Sequence, residues 1–360
     1  MSAIKVLIVD DSALVRQMYK QLLESDPEIQ VIGTAGDPYI AVQKIQKEKP
    51  DVITLDIEMP RMDGLTFLKK IMSQAPMPVV VISNQTVKGA DVALKALEIG
   101  AVDVLTKPNL SGDHEVNESR INLIDKVRSA YFAKNPAGKN ERVKPTNPEI
   151  NSVPKNSEVS VPSDKQTQFS KNAIIAIGAS TGGTEAIRSF LENLPAQMPP
   201  ILIVQHMPEK FTLSFAKRLN EICALTVKEA EDGETVVANT VYIAPGGRHM
   251  AVQTKSGKTI IKIYDGVLVN RHRPSVNVLF DSVAEAKGKN AIGIIMTGMG
   301  DDGATGLLSM HERGAVTLAQ DESSSVVFGM PYKAIMAGGV SRVLPLNEIA
   351  NEVCETIRAL

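Results

Sequence analysis

The sequence predicts an α/β protein of two doubly wound parallel-sheet domains joined by a flexible linker. Three observations carry this. Short β-branched apolar runs alternate with helical patterns over residues 1–133. The alternation stops over 134–170, and it returns over 171–360. Strands that alternate with helices specify parallel sheets covered on both faces.

In the first stretch, residues 5–9, 30–34, 52–55, 79–82 and 103–105 read as strands. Helical patterns follow each of them, at 13–24, 40–47, 64–72, 88–98 and 117–133. Between 134 and 170, Pro136, Pro145, Pro148, Pro154 and Pro162 are scattered among Asn, Lys and Ser, with no aromatic before Phe169. Such a segment cannot bury enough apolar surface to fold, so an extended linker is expected. In the last stretch, 173–177, 201–205, 291–296 and 315–319 are fully apolar strand candidates. Residues 241–244, 250–253 and 259–264 predict an antiparallel meander or hairpin insertion that turns at Ser256-Gly257.

Composition narrows the function. A chain of 360 residues is long enough for two cores. Charge is balanced, 39 Lys+Arg against 41 Asp+Glu, which gives nucleic-acid or membrane-surface binding no bulk electrostatic support. Cys223 and Cys354 lie far apart and outside any CxxC spacing, against a disulfide scaffold or zinc site. No signal-peptide pattern precedes the first strand, and no apolar run is long enough to span a bilayer. A cytoplasmic protein without direct membrane insertion is expected.

Polar residues sit at the ends of the predicted strands, where open α/β sheets bind ligands. In the first domain Asp10 and Asp11 end one strand, Asp56 another, Ser83 a third and Lys107 a fourth. Clustered carboxylates repel one another, and a hard divalent cation such as Mg²⁺ relieves that repulsion. An Asp beside Mg²⁺ and Lys is a nucleophile toward a phosphoryl group. A single Asp ending a strand is more often a cap. Four polar strand ends in one domain are not explained that way.

In the second domain, Gly178-Ala179-Ser180-Thr181-Gly182 follows an apolar strand and opens a helix near Gly183, a nucleophile-elbow pattern. The bland alternative is a glycine-rich turn that caps a helix or binds phosphate. A serine nucleophile needs a base. His206 directly follows an apolar strand, whereas His249, His272, His311 and His114 do not. An orienting carboxylate is offered by Asp301 or Asp302, between which spacing does not choose. The same segment also fits a dinucleotide fingerprint. Gly298-x-Gly300-x-x-Gly303 follows a strand, and Asp321 lies eighteen residues beyond its last glycine. Two aspartates inside a loop meant for pyrophosphate weigh against it.

The first domain resembles the receiver domain of response regulators in Val9-Asp10-Asp11-Ser12, Leu55-Asp56-Ile57-Glu58-Met59-Pro60, Ser83 and Thr106-Lys107-Pro108. The resemblance implies a flavodoxin-like fold and phosphorylation of Asp56 by a histidine kinase. It also implies Mg²⁺ held by Asp11, Asp56 and the Glu58 backbone carbonyl with Asp10 in support, and phosphate sensing by Ser83 and Lys107. Many receivers carry an aromatic switch residue where this chain has Val104. The second domain resembles the catalytic domain of protein-glutamate methylesterases of bacterial chemotaxis. The matching segments are Ile177–Gly183, Val204–Met207, Ala244–Met250, Thr297–Gly303 and Val326-Val327-Phe328-Gly329-Met330-Pro331. That resemblance implies demethylation of chemoreceptor glutamates and deamidation of receptor glutamines. It implies a triad of Ser180, His206 and Asp302, an oxyanion amide at Met299, and Thr181 and His249 as cleft residues. Ester hydrolysis would need no cofactor. The competing reading is a receiver-controlled nucleotide-binding or interaction module without esterase activity.

Overall fold

A computed structural model describes residues 3–59, 63–107, 112–134 and 172–359. The predicted linker, and with it Pro60 and Pro108 of the receiver motifs, falls outside these residues apart from the end of one helix.

The first domain alternates β1 (Ile4–Val9), α1 (Ala13–Glu24), β2 (Ile29–Ala35), α2 (Pro38–Lys47), β3 (Val52–Asp56), α3 (Gly64–Gln74), β4 (Val79–Ser83), α4 (Val87–Ile99), β5 (Asp103–Thr106) and α5 (Asp113–Lys134). Its strands pair in parallel in the order β2-β1-β3-β4-β5. β3 and β4 are buried at every position, as expected of strands covered by helices on both faces. Short polar residues set the helix starts. The side chains of Ser12, Asp37, Asp63 and Thr86 accept from the first-turn amides of α1, α2, α3 and α4. Each is worth about 1 kcal/mol over Ala.

The second domain comprises β6 (Ile174–Ala179), α6 (Gly183–Glu192), β7 (Ile201–Gln205), α7 (Phe211–Ile222), β8 (Thr226–Glu229), β9 (Thr240–Ile243), β10 (His249–Lys255), β11 (Lys258–Tyr264), α8 (Val276–Lys287), β12 (Ala291–Ile295), α9 (Ala304–Glu312), β13 (Val316–Gln320), α10 (Met330–Met336), β14 (Arg342–Leu344) and α11 (Leu346–Ala359). Seven strands form a parallel sheet in the order β14-β13-β12-β6-β7-β9-β8. β10 and β11 pair antiparallel as a separate hairpin.

Residues 241–244 were expected to join the antiparallel meander. β9 instead lies inside the parallel sheet, with Ile201 opposite Val241. All four of its residues are buried, so it has no solvent face of the kind an alternating hairpin strand presents.

The chain order reverses between β1 and β3 in the first sheet and between β6 and β12 in the second. At such switch points the loops leave in opposite directions and open a crevice beyond the strand ends. α4 packs on α7 across the two domains. Among the described residues, no helix is long and apolar enough to cross a membrane.

Candidate active site and phosphoacceptor site

At the crevice of the first sheet, Asp10, Asp11 and Asp56 bring carboxylate oxygens within 4.8 Å of one another. Asp10 and Asp56 are fully buried, while Asp11 is exposed. Lys107 Nζ donates to Asp56 Oδ2 at 2.7 Å and lies 4.0 Å from Asp10 Oδ2. The Glu58 amide donates to Asp56 Oδ1 at 3.0 Å, and the Ser12 amide to Asp10 Oδ1 at 2.8 Å. Asp10 Oδ2 is buried with no hydrogen-bond partner. Burial, reinforced by the Asp56 charge and opposed by the Ser12 hydrogen bond, pushes the Asp10 carboxyl up to about 6. An all-oxygen cluster with an orphaned carboxylate oxygen fits a hard divalent cation. Ser83, by contrast, is buried and donates to the Gly89 carbonyl at 3.0 Å, turned toward α4. Val104 is buried in the core.

This cluster carries a pH prediction. Cation binding requires ionised Asp10, so Mg²⁺ affinity of the whole chain is expected to fall between about pH 7 and about pH 5. Calorimetric titration at both values measures it. The sign for stability is the opposite. A raised folded pKa means that the metal-free fold binds the proton more tightly than the unfolded chain does. Its stability from this group therefore rises as pH falls through about 6.

At the crevice of the second sheet, Ser180 follows β6 and His206 follows β7. Ala179 and Gln205 pair in register, and the His206 amide donates to the Ala179 carbonyl at 3.1 Å, so Ser180 and His206 leave adjacent strands side by side. Ser180 is further fixed through its main chain. Its amide donates to Thr297 O at 3.0 Å, and its carbonyl accepts from Gln205 Nε2 at 2.9 Å. The turn that follows needs glycine. Gly182 has φ +78°, and a Cβ on Gly183 would stand 2.1 Å from Gln205 Oε1.

His206 Nε2 bonds Asp302 Oδ2 at 2.8 Å, and His206 Nδ1 is buried without a partner. Asp302 is 1% exposed, whereas Asp301 is exposed, and of the two it is Asp302 that bonds His206. The Asp302 carboxylate also accepts from Ser275 Oγ at 2.7 Å, the Val276 amide at 2.7 Å and the Asn277 amide at 3.0 Å. It thus caps the N-terminus of α8 from outside, where a negative charge is favoured. Burial opposes its charge. The His206 hydrogen bond, with those from Asn277 and Ser275, overcomes that and holds its carboxyl below the usual range. Met299 and the partly exposed Gly300 lie in the loop between β12 and Asp302. A Cβ on Gly298 would sit 2.7 Å from Ser180 Cβ, so this loop passes close against the serine.

Two expected cleft residues are otherwise engaged. His249 is buried; its Nε2 donates to Val267 O at 2.9 Å and its Nδ1 accepts from the Ser275 amide at 3.3 Å. It braces the loop that carries Ser275, with both ring nitrogens engaged. Thr181 donates its hydroxyl to Asp103 Oδ2 of the first domain at 2.5 Å. The dinucleotide alternative meets an obstacle at the start of α9. Asn277 Oδ1 accepts from the Gly303 amide at 3.1 Å and the Gly306 amide at 2.8 Å, occupying donors a phosphate would use.

Spacing did not reveal Ser275, Asn277 or Gln205. Pro274-Ser275 before an apolar helix is a helix-start signal that points at least to Ser275.

The two domains meet beside these sites. Lys107 and Lys126 from one domain, and His206, Arg271, His272 and Arg273 from the other, line a common cleft of about 390 Å³. Across the domain contact the second domain supplies the cations. Arg271 meets Asp125 at 3.3 Å, Arg273 meets Glu118 at 3.5 Å and Lys210 donates to the Gln85 carbonyl at 3.2 Å, while outside this cleft, between α4 and α7, Arg218 meets Glu98.

Comparison with known proteins agrees with both halves. The family model for the response regulator receiver domain matches residues 6–114, and that for CheB methylesterase matches residues 175–353. A protein-glutamate methylesterase/protein-glutamine glutaminase of Geobacter metallireducens is 53% identical, over 98% of this chain and 99% of its own. One from Rhodospirillum rubrum is 52% identical over 97% of each. The crystal structure of the Thermotoga maritima CheB methylesterase catalytic domain matches 51% of this chain and 98% of its own, at 41% identity and a TM-score of 0.50. With a receiver domain ahead of a methylesterase domain, and identity above one half along nearly its whole length, this chain belongs to the protein-glutamate methylesterase/protein-glutamine glutaminase family.

Proposed function

We propose that this chain hydrolyses γ-glutamyl methyl esters of chemoreceptors, releasing methanol, and deamidates receptor glutamines by the same route, under control of phosphorylation at Asp56. The observation that carries the chemistry is the His206–Asp302 pair beside Ser180, with Nδ1 of the imidazole left unpartnered. His206 Nδ1 takes the Ser180 proton as Oγ attacks the ester carbonyl. The oxyanion is met by the main-chain amide at Met299. The C–O bond to methoxide breaks, methanol leaves with the proton from His206, and an acyl-serine remains. Water repeats the sequence and frees the glutamate. Asp302 keeps the proton on Nε2 and stabilises the imidazolium. Thr181 is assigned to the cleft wall.

The receiver is assigned to residues 1–133, the linker to 134–170 and the catalytic domain to 171–360. Asp11, Asp56 and the Glu58 carbonyl, with Asp10 beside them, would hold Mg²⁺, which supplies charge neutralisation for phosphoryl transfer from a histidine kinase. Lys107 and Ser83 would then contact the phosphoryl group. The enzyme acts in the cytoplasm, on the exposed helices of receptors.

Control follows from the shared cleft. With the domains docked, Thr181 is bonded to Asp103 and the cleft lined by His206 is walled on its other side by the receiver. Phosphorylation acts by weakening this packing, and only to the extent that it stabilises the open state more than the docked one. The Arg218–Glu98 pair tests docking. Arg218→Glu is expected to raise methanol release in the absence of phosphodonor by about two- to fivefold, the scale of an exposed pair, and Glu98→Arg in the same chain to reverse it. Neither residue touches Ser180. The overall test is methanol release from methylated receptor membranes, with and without a small phosphodonor and Mg²⁺. Release that ignores phosphodonor would keep the esterase and remove the control.

A further inference from the structure

The base of the proposed triad lies face to face with a second histidine. The rings of His206 and His272 stack with centroids 3.7 Å apart and planes 16° apart. A single bond from Nε2 to Asp302 fixes one corner of the His206 ring. No second hydrogen bond to the ring opposes its rotation about that contact, because Nδ1 has no partner. A flat neighbour at van der Waals distance opposes that motion, because turning the ring loses the overlap.

His272 is itself firmly held. It closes a two-residue turn in which the Val269 amide donates to His272 O at 3.1 Å and the His272 amide to Val269 O at 2.9 Å. Asn270 and Arg271 between them have φ of +49° and +68°, the geometry of a type I′ turn. Asn tolerates that conformation; Arg adopts it rarely. Asn270 Oδ1 accepts from Asn277 Nδ2 at 2.8 Å, and the Asn277 amide donates to Asp302 at 3.0 Å. The ring stacked on His206 and the carboxylate bonded to it therefore hang from one bracket of chain, residues 269–277. Burial, then the charges of His206, Lys126 and Arg271, hold His272 well below the usual histidine range, so it stays neutral beside the base. A neutral ring face also attracts the imidazolium that forms during turnover.

We propose that His272 is a positioning residue for His206, its ring face holding the imidazole with Nε2 on Asp302 and Nδ1 toward Ser180. The assignment rests on the esterase reading, and two measurements on the full-length, phosphodonor-activated chain separate the two. The first is kcat and KM for methanol release. His272→Ala is expected to lower kcat by about 10- to 100-fold, the cost of a misplaced reacting group, with KM within about twofold. His272→Phe, which keeps a flat face and loses both nitrogens, is expected to recover most of it. The second is the low-field proton resonance of His206 Nε2–H, which needs no turnover. It should be present in wild type and in His272→Phe, broadened in His272→Ala, and absent in Asp302→Asn. Wild-type kcat together with a sharp resonance in His272→Ala would overturn the proposal. So would a His272→Phe variant as impaired as His272→Ala, which would place the effect in the nitrogens. A wild type that releases no methanol would sink the esterase reading instead, and the resonance would still decide whether His272 holds the ring.

Discussion

Ser180→Ala is expected to lower methanol release about a millionfold, the scale on which a triad fails when its nucleophile is removed. The expectation is specific to Oγ. The bonds that place this residue, from its amide to Thr297 O and from Gln205 Nε2 to its carbonyl, belong to the main chain and survive the change. Folding, docking and phosphorylation of Asp56 should therefore be unaltered, and a thermal melt near that of wild type is part of the prediction. What activity remains comes from the oxyanion donors and from binding alone. Activity within tenfold of wild type, in a chain that takes phosphate normally, would remove Ser180 from the chemistry.

Asp302→Asn should cost about 10⁴ in kcat for a different reason. Four donors converge on the Asp302 carboxylate: His206 Nε2–H, Ser275 Oγ–H and the amides of Val276 and Asn277. An amide side chain presents one oxygen and one NH₂. If the oxygen keeps Ser275 and Asn277, the NH₂ faces both Val276 N–H and His206. The imidazole answers by moving its proton to Nδ1, the atom that must receive the serine proton. The base is then lost although its position is kept. Stability should fall as well, by about 1–3 kcal/mol, because a buried amide at the start of α8 loses its acceptor and the helix loses its capping charge. The lowered pKa of Asp302 stabilises the fold above the usual carboxylate range, and that contribution fades as pH falls through the lowered value. Melting curves of the two proteins should thus converge in acid. A variant that keeps wild-type kcat would show that the carboxylate serves only the helix.

The sheet strands were legible because burial on both faces demands uninterrupted apolar runs, as in residues 174–179 and 201–205. β9 obeys the same rule, but its closeness in sequence to a true hairpin drew it into the meander. β8 and β14 escaped notice because edge strands carry exposed, polar positions such as Thr226 and Arg342. The strand-end residues of both crevices could be read off because topology alone assembles them. What spacing did not supply was choice among neighbours. Asp301 and Asp302 stand side by side, and the family resemblance rather than spacing put Asp302 forward. The His206–His272 stack depends on a turn of two positive-φ residues, one of them arginine, which no periodicity announces. The Thr181–Asp103 contact joins positions 78 apart in different domains.

The cleft that the two domains share, with Lys107 on one wall and His206 on the other, bears on how a signal passes between them. The His206–Asp302 bond and the carboxylate cluster around Asp56 are each complete while the domains are docked. Neither site waits for the other to be built. On the reading proposed above, phosphorylation would act as a shutter does, by opening the gap between two finished surfaces.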